Sequence, residues 1–304
     1  MKILVTGGAG FIGSHIVDEA VAAGHEVHVA DNLSTGSPEN LPEDCPRFTV
    51  DVGTPEFAEI MEQVAPDAVI HMAAQINVTA SVENPVHDAE ANILNTIRVL
   101  ELCIKHNVKR FVFASSAGVY GRTETIPLDE SFACNPLSPY GTSKLACEEY
   151  IKLYGRTHDL DYVILRNSNV YGPRQIPHGE CGVCAVFTDL MMQGKIPTLY
   201  GHGTPLRDYI YVGDVARANI AALTHGRNET LNVSSGMGVE VQEIFGHLRD
   251  LLEFPHAPRL APLRAGEIEN TYLSNESAVR TLDWSPQIEL AEGLRRTVKY
   301  FQKS

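Results

Sequence analysis

A glycine-rich turn stands near the start of this 304-residue chain, between an apolar run and a stretch with helical spacing. Residues 2–6 are mostly aliphatic, residues 7–13 read GGAGFIG, and the helical pattern extends over residues 12–23. Glycine allows a tight turn and lets the backbone approach a pyrophosphate, while the N-terminus of the following helix offers N–H groups and a partial positive charge. The turn predicts a dinucleotide site, with a purely structural turn as the alternative. The predicted contacts are Gly7, Gly10, Phe11, Ile12 and Gly13.

Short apolar runs alternate with longer helical stretches over the first half of the chain. The runs are apolar throughout rather than at every second position, which is typical of parallel strands buried on both faces. This alternation predicts an α/β fold of Rossmann type, with a doubly wound parallel sheet. The predicted strands are residues 2–6, 26–30, 47–50, 68–71, 110–115 and 162–166, and the predicted helices among them are 12–23, 57–64, 87–106 and 139–157.

The pattern becomes irregular after residue 166. We therefore predict a dinucleotide-binding domain over residues 1–166, to which some later segments return. A smaller, irregular substrate-binding lobe is predicted over residues 167–304, with a cleft between the two. Turn-rich stretches in this lobe separate helices predicted at residues 183–193, 212–223, 241–252 and 290–301.

The composition limits the partners of the chain. It has 24 Lys and Arg against 38 Asp and Glu, a net charge of −14, which disfavours nucleic acid because phosphate binding needs clustered cations. The N-terminal apolar stretch is too short for a signal-peptide core, and no run approaches the roughly 18 apolar residues of a membrane span. Six sparse cysteines predict reduced thiols in a cytoplasmic protein. Cys181 and Cys184 have too few neighbouring ligands for a zinc site, so no metal is predicted.

Acidic and small residues follow the next predicted strands. Asp31 ends the second strand, where a carboxylate accepts hydrogen bonds from the ribose hydroxyls and repels a 2′-phosphate, which favours NAD over NADP. Asp51 ends the third strand, where the edge of an adenine would lie, and small residues after His71 would let a flat cofactor pass. Ordinary turn roles are the alternative for the two acids, and we interpret His71 as structural. The predicted cofactor contacts in these segments are Asp31, Asn32, Ser34, Thr35, Gly36, Asp51, Val52, Ala73, Ala74 and Gln75.

A tyrosine and a lysine stand four residues apart at the start of a predicted helix. Ser138 suits the N-cap, and the spacing places Tyr140 and Lys144 on one helical face. The reference pKa of tyrosine is about 10, and a nearby ammonium, the helix N-terminus and a cationic nicotinamide all favour the phenolate. The pair predicts a general base with a lowered pKa, although such a pair by itself is common. Ser116, at the end of the fifth strand, would bond the reacting oxygen, with Ser115 as the alternative.

With these motifs the sequence resembles the extended short-chain dehydrogenases/reductases, and among them the NAD-dependent sugar-nucleotide epimerase/dehydratase family. The resemblance is strongest to the UDP-glucose 4-epimerase branch. It rests on the glycine-rich turn, residues 31–36, the two serines, the Tyr140/Lys144 pair and several C-terminal segments. It implies that Tyr140 takes the proton of the sugar 4-hydroxyl while hydride passes to tightly bound NAD. The resulting 4-keto sugar would then turn over and be reduced on its other face. Lys144 would lower the pKa of Tyr140 and hold the nicotinamide ribose, while Ser116 would bond the reacting oxygen.

The residues after Ser116 distinguish the branches of this family. Related dehydratases carry a Thr-Asp-Glu segment there and decarboxylases a Glu, whereas this chain has Ala117 and Gly118. The resemblance therefore implies C4 epimerisation of UDP-glucose and UDP-galactose. A UDP-glucuronate epimerase, a net dehydrogenase or reductase, and a non-catalytic NAD-binding module are the alternatives. The family's usual homodimer would pair the helices predicted at residues 87–106 and 139–157.

The resemblance also implies a UDP-sugar site in the C-terminal lobe. Asn169 would contact the diphosphate, and Arg207 and Arg264 would clamp it. Tyr200 would pack on uracil; surface roles for the arginines and a core role for the tyrosine are the alternatives. Thr271 stands where several epimerases have a bulky Tyr, so the pocket would leave room for an N-acetyl group. The predicted substrate contacts are Ser116, Asn169, Arg174, Val183, Tyr200, Arg207, Arg264, Glu267 and Thr271.

Overall fold

The computed structural model describes residues 1–177, 182–264 and 268–303. In chain order the strands are β1 (Lys2–Thr6), β2 (Glu26–Asp31), β3 (Arg47–Thr49), β4 (Ala68–His71), β5 (Arg110–Ser116), β6 (Asp161–Asn167), β7 (Asn169–Tyr171), β8 (Thr198–Tyr200), β9 (Leu206–Arg207), β10 (Tyr209–Tyr211), β11 (Glu229–Val233), β12 (Val239–Glu240) and β13 (Arg259–Ala261). The helices are α1 (Phe11–Ala22), α2 (Pro55–Val64), α3 (Val78–Glu83), α4 (Pro85–Ala89), α5 (Asn95–Lys105), α6 (Pro139–Thr157), α7 (Val183–Met192), α8 (Val212–Ala221), α9 (Val241–Leu251), α10 (Glu276–Leu282) and α11 (Leu290–Phe301).

Seven of these strands form a parallel sheet in the order β3-β2-β1-β4-β5-β6-β11. The strand order reverses between β1 and β4, and open α/β sheets bind ligands at the carboxyl ends of such strands. The six predicted strands are confirmed, with ends that differ by at most one residue. Strand β11 was not predicted, because Asn232 interrupts its apolar pattern. This buried amide is satisfied by the carbonyl oxygens of Leu128 and Ser274.

Helices cover both faces of the sheet, α1 and α8 on one side and α2, α5 and α6 on the other. Successive residues of β1 show the two layers. Ile3 and Val5 belong to the apolar cluster that contains Ile16 of α1, whereas Leu4 belongs to the cluster that contains Val99 of α5. The predicted doubly wound α/β fold is thus confirmed.

The helix predicted over residues 87–106 is built in three parts. Helix α4 is followed by a π-helical segment, Glu90–Leu94, and then by α5. Asn84 caps α4 by accepting the N–H of His87 at 3.2 Å. A π-helical turn holds one extra residue and often marks a functional site. Here it contains Asn92, which is buried.

Helices α7, α9 and α11 form a smaller lobe. Their apolar cluster includes Phe187, Leu199, Ile244 and Leu294, and three two-stranded sheets join β7 to β10, β8 to β13 and β9 to β12. From the second half of the chain, α8 packs on α1 and β11 pairs with β6. The four predicted helices of this half are present, whereas α10 was not predicted. The domain boundary at residue 166 stays a prediction.

The residues that the structure describes include neither a membrane-spanning helix nor a cluster of metal ligands. None of their helices has both the length and the apolar character needed to cross a membrane. Nor do the same residues contain a group of three or more His, Cys, Asp or Glu side chains that could hold a metal ion.

Candidate active site

The glycine-rich turn lies at the carboxyl end of β1. Gly7 has a φ of +66° and donates its N–H to the carbonyl oxygen of Ala30 at 2.8 Å, and a Cβ there would lie 2.6 Å from the backbone nitrogen of Ala73. A Cβ on Gly13 would overlap the carbonyl oxygen of Gly7, so the packing of the turn itself requires both glycines. At Gly10 a Cβ would meet no atom closer than 3.2 Å, and this N-cap has no side chain over the first N–H groups of α1. The turn therefore fits an anionic group such as a pyrophosphate at the helix N-terminus.

The Asp31 carboxylate is held beside this turn. Its Oδ2 accepts the N–H of Ala9 at 2.9 Å, and its Oδ1 accepts the N–H of Leu33 at 2.8 Å. Each carboxylate oxygen keeps a further lone pair, which fits the hydrogen bonds of a ribose. Asn32 donates through Nδ2 to Asp51 at 2.8 Å, so side chains join the ends of β2 and β3 next to the turn.

Other predicted cofactor residues surround the same edge. Gly36 comes so near to the turn that a Cβ would lie 2.8 Å from the carbonyl carbon of Ala9. Ser34 and Thr35 are exposed there. Val52 differs, because its side chain is buried in the apolar core. Its contact with a cofactor stays a prediction.

The segment after β4 lies close to Gly7. Ala73 donates its N–H to Thr6 Oγ1 at 3.3 Å, and the Gln75 amide donates to Asp88 at 2.8 Å. His71 is buried, and its Nδ1 lies 2.7 Å from the same threonine hydroxyl. Burial lowers the pKa of His71 to about 3, so the ring is neutral. This supports the interpretation of His71 as a structural residue.

Helix α6 carries the predicted catalytic pair in its first turns. Ser138 caps the helix as predicted, accepting the N–H of Gly141 at 3.1 Å. Lys144 is buried, and its Nζ donates to the carbonyl oxygen of Ala114 at 2.8 Å. The same Nζ lies 5.9 Å from the centre of the Tyr140 ring. The ammonium is therefore fixed to β5 and lies close to the phenol.

The acidity of Tyr140 departs from the sequence prediction. Burial raises the pKa of the phenol to about 12, while a hydrogen bond with Ser116 works in the opposite direction. The negative charge of Asp88 adds to the rise. The lowered pKa expected from the sequence is therefore wrong for the protein's own groups, because the loss of water around the hydroxyl outweighs them.

The two adjacent serines at the end of β5 have different roles. Ser115 is buried and donates to Glu148 Oε1 at 2.6 Å. The Ser116 hydroxyl accepts the N–H of Gly118 at 3.1 Å, and it is the serine whose hydrogen bonding lowers the pKa of Tyr140. The geometry thus favours Ser116 over Ser115 as the hydroxyl that contacts a reacting oxygen.

Two fully buried carboxylates next to this pair escaped the sequence analysis. Glu148 accepts Nε and Nη2 of Arg166 at 2.9 and 2.7 Å, and Asp88 accepts the hydroxyl of Ser143 at 2.5 Å. The sequence feature that could have indicated Glu148 is the helical spacing of Ser143, Lys144 and Glu148. This spacing places polar residues on the side of α6 that faces the interior.

Two predicted substrate residues meet in the C-terminal lobe. The guanidinium of Arg264 lies 3.8 Å from the centre of the Tyr200 ring. Arg207, in β9, donates to the carbonyl oxygens of Ile268 at 2.6 Å and Glu269 at 2.8 Å. These contacts orient both guanidinium groups, which suits them to hold phosphate oxygens.

The remaining predicted substrate residues lie on several elements. Thr271 donates its N–H to Leu206 of β9 at 3.1 Å, which places it beside the strand that carries Arg207. Asn169 is exposed on β7 and donates to the carbonyl oxygen of Asp208 at 2.9 Å. Val183, by contrast, is the first residue of α7.

Arg174 pairs with the dinucleotide-binding side of the molecule. It has a φ of +69°, and its Nη1 donates to Asp18 of α1 at 2.7 Å. Its contact with a substrate stays a prediction. Glu267 and Cys181 lie outside the described residues.

Comparisons with known proteins show which family the chain is similar to. The sequence model of the NAD dependent epimerase/dehydratase family matches residues 3–234. A putative UDP-glucose 4-epimerase of Methanocaldococcus jannaschii is 44% identical over 303 residues, which cover 99% of each chain. The fold matches the UDP-glucose 4-epimerase of Thermotoga maritima, solved with UDP-glucose, with a TM-score of 0.97 and 42% identity over 100% of this chain and 99% of the other. A UDP-N-acetylglucosamine 4-epimerase of Methanobrevibacter ruminantium, in complex with UDP-N-acetylmuramic acid, gives a TM-score of 0.94 and 35% identity over 99% and 98%.

The family match confirms the resemblance seen in the motifs. It covers the glycine-rich turn, Asp31, Ser116 and the Tyr140/Lys144 pair, and the turn and the carboxylate fit a dinucleotide. NAD is therefore the cofactor. The chain belongs to the NAD-dependent epimerase/dehydratase family.

Proposed function

We propose that this enzyme interconverts UDP-glucose and UDP-galactose by transient oxidation and re-reduction of the sugar at C4. The observation that carries the proposal is the grouping of Ser116, Tyr140 and Lys144 at the carboxyl end of β5, beside the dinucleotide site. Two of the similar proteins carry the name UDP-glucose 4-epimerase, one of them as putative, at 42% and 44% identity over nearly the whole chain. Ala117 and Gly118 offer no carboxylate for an elimination.

In this mechanism Tyr140 is the general base. Its phenolate takes the proton of the 4-hydroxyl as the sugar is oxidised, and the phenol returns that proton when the 4-keto sugar is reduced. Ser116 hydrogen-bonds the oxygen at which charge develops, and Lys144, fixed by Ala114, provides the positive potential that favours the phenolate. Bound NAD would supply the hydride acceptor for the oxidation at C4 and the hydride donor for the reduction. Because burial raises the pKa of Tyr140 to about 12, every cation near the ring contributes to activity at neutral pH.

The C-terminal lobe supplies the substrate contacts in this proposal. Arg207 and Arg264 would hold the diphosphate, which local cations must attract against a net charge of −14. Tyr200, already stacked on Arg264, would pack on the base. The short side chain of Thr271 would leave room for an N-acetyl group. A similar structure is named as a UDP-N-acetylglucosamine 4-epimerase, which supports acceptance of the N-acetylated pair.

We further infer a cytoplasmic homodimer. Large apolar side chains are exposed on the neighbouring helices of residues 85–105 and 139–157, namely those of Val86, Leu94, Tyr150 and Leu153. Since α6 packs along α4 and α5, these outward side chains could form a surface for a second copy. The five cysteines in the described ranges are all unbridged thiols, which is consistent with a reducing compartment.

The direct test is incubation of the purified protein with UDP-glucose and no added NAD. We expect UDP-galactose to form and the same final mixture to be reached from either epimer. A net dehydrogenase would instead stop once its bound NAD is reduced, and it would accumulate NADH steadily only after NAD is added. Absence of any C4 epimer from protein that retains NAD would refute the proposal.

A further inference from the structure

The buried carboxylate of Asp88 lies beside the catalytic helix and has no part in the mechanism above. Asp88 belongs to α4 and is 0% exposed. Its Oδ2 accepts the hydroxyl of Ser143 at 2.5 Å, and its Oδ1 accepts the amide groups of Gln75 at 2.8 Å and Asn92 at 3.1 Å. Both amides donate through nitrogen, so Asp88 accepts hydrogen bonds from three side chains.

The three partners of Asp88 come from three different elements. Ser143 directly precedes Lys144 in α6. Gln75 belongs to the segment after β4, which is predicted to contact the cofactor. Asn92 lies in the π-helical segment, and its Oδ1 accepts the N–H of Gln75 at 2.8 Å. Asp88 thus connects the catalytic helix to the cofactor-side segment through direct hydrogen bonds.

The charge of Asp88 is not balanced by a cation in contact. Glu148, the other buried acid on this face, is paired with Arg166 at 2.7 Å. Among the described residues, no Lys or Arg lies within ion-pair distance of Asp88. The titratable groups that face the catalytic pair are His71, Asp88, Cys147 and Glu148, while Glu83, His87 and Glu90 nearby are exposed.

Resting on the proposed epimerase function, we propose that Asp88 is a positioning residue for the Tyr140/Lys144 pair. It clamps α6 to the segment after β4, and it supplies the uncompensated buried charge that both members of the pair face. Burial raises the pKa of Tyr140 and lowers that of Lys144, while the charge of Asp88 raises both. Asp88 therefore favours the cationic form of Lys144, and it also moves the ionisation of Tyr140 to higher pH.

The pH dependence of kcat tests the charge. In the NAD-loaded enzyme the cationic nicotinamide favours the Tyr140 phenolate, so the acidic limb reports ionisation of Tyr140 and the basic limb reports loss of the proton of Lys144. Asp88→Asn removes one negative charge that raises both pKa values. Both limbs are therefore expected to move to lower pH, by about one unit. If the role of Asp88 were purely structural, Asp88→Asn would lower kcat at every pH and would shift neither limb of the profile.

Ser143→Ala tests the clamp, because it deletes one hydrogen bond and keeps the carboxylate charge. We expect kcat to fall by about tenfold with both limbs unmoved. Asp214→Asn is the matched control: Asp214 is equally buried and is paired with Arg217 on α8. Its variant is expected to lose thermal stability without a shift of either limb.

The outcomes separate this proposal from the proposed function. Wild-type protein without epimerase activity would refute the proposed function itself. If the wild type is active, unmoved limbs in folded, NAD-loaded Asp88→Asn overturn the role of the charge, and unchanged kcat in Ser143→Ala overturns the clamp. If Asp88→Asn does not fold, Ser143→Ala still decides whether α6 needs this contact.

Discussion

Replacing Glu148 by Gln is expected to lower the free energy of unfolding by about 3–5 kcal/mol. The carboxylate is 0% exposed and accepts Nε and Nη2 of Arg166 at 2.9 and 2.7 Å and the hydroxyl of Ser115 at 2.6 Å. Burial alone would lower the pKa of Arg166, but the hydrogen bonds and charge of Glu148 raise it above its usual range. The guanidinium therefore keeps its charge when the partner is neutralised. A glutamine amide would also direct a donor at a group that has only donors.

Urea denaturation of the NAD-loaded protein, followed by circular dichroism, measures this change. The control is Asp159→Asn, which breaks the exposed pair between Lys109 Nζ and Asp159 Oδ2 at 2.8 Å. The two ion pairs have nearly the same N–O distance and differ in burial, so the surface variant is expected to show no measurable change. A loss below about 1 kcal/mol for Glu148→Gln, or equal effects of the two variants, would refute the reasoning that burial sets the size of the effect.

Three further outcomes are expected. Tyr140→Phe should lower kcat by about a thousandfold with NAD still bound, and turnover near the wild-type rate would exclude this base. Gly13→Ala places a Cβ against the carbonyl oxygen of Gly7, so the purified variant should have lost NAD, whereas Gly246→Ala, with no atom within 4 Å of the new Cβ, should retain it. Equal NAD content in both glycine variants would contradict the account of the turn. Thr271→Tyr should lower kcat/KM for UDP-N-acetylglucosamine relative to UDP-glucose by about tenfold or more, and an unchanged ratio would show that this residue does not line the sugar pocket.

The sheet could be predicted from the sequence because six of its strands have sequences that are largely apolar. Strand β11 could not, since Asn232 is buried through hydrogen bonds to Leu128 and Ser274, which only the folded chain brings near. Helix α6 was predicted with the correct ends, because Ser138 is a cap that can be recognised locally. The π-helical segment within residues 85–105 leaves no comparable local signal, and its buried Asn92 donates to the carbonyl oxygen of Gln75, a partner 17 residues earlier in the chain.

The position of the catalytic pair follows from local spacing, but its acidity does not. Two residues four apart on a helix share a face in any fold, so Tyr140 and Lys144 could be paired from the sequence. The groups that determine their charge states come from elsewhere: Asp88 lies 55 residues before its partner Ser143. The protein's own groups therefore raise the pKa of Tyr140 where the sequence predicts a lower one, because burial and the approach of α4 to α6 are properties of the tertiary fold. Variants of distant residues that face the phenol should consequently change the pH dependence of catalysis without touching a substrate.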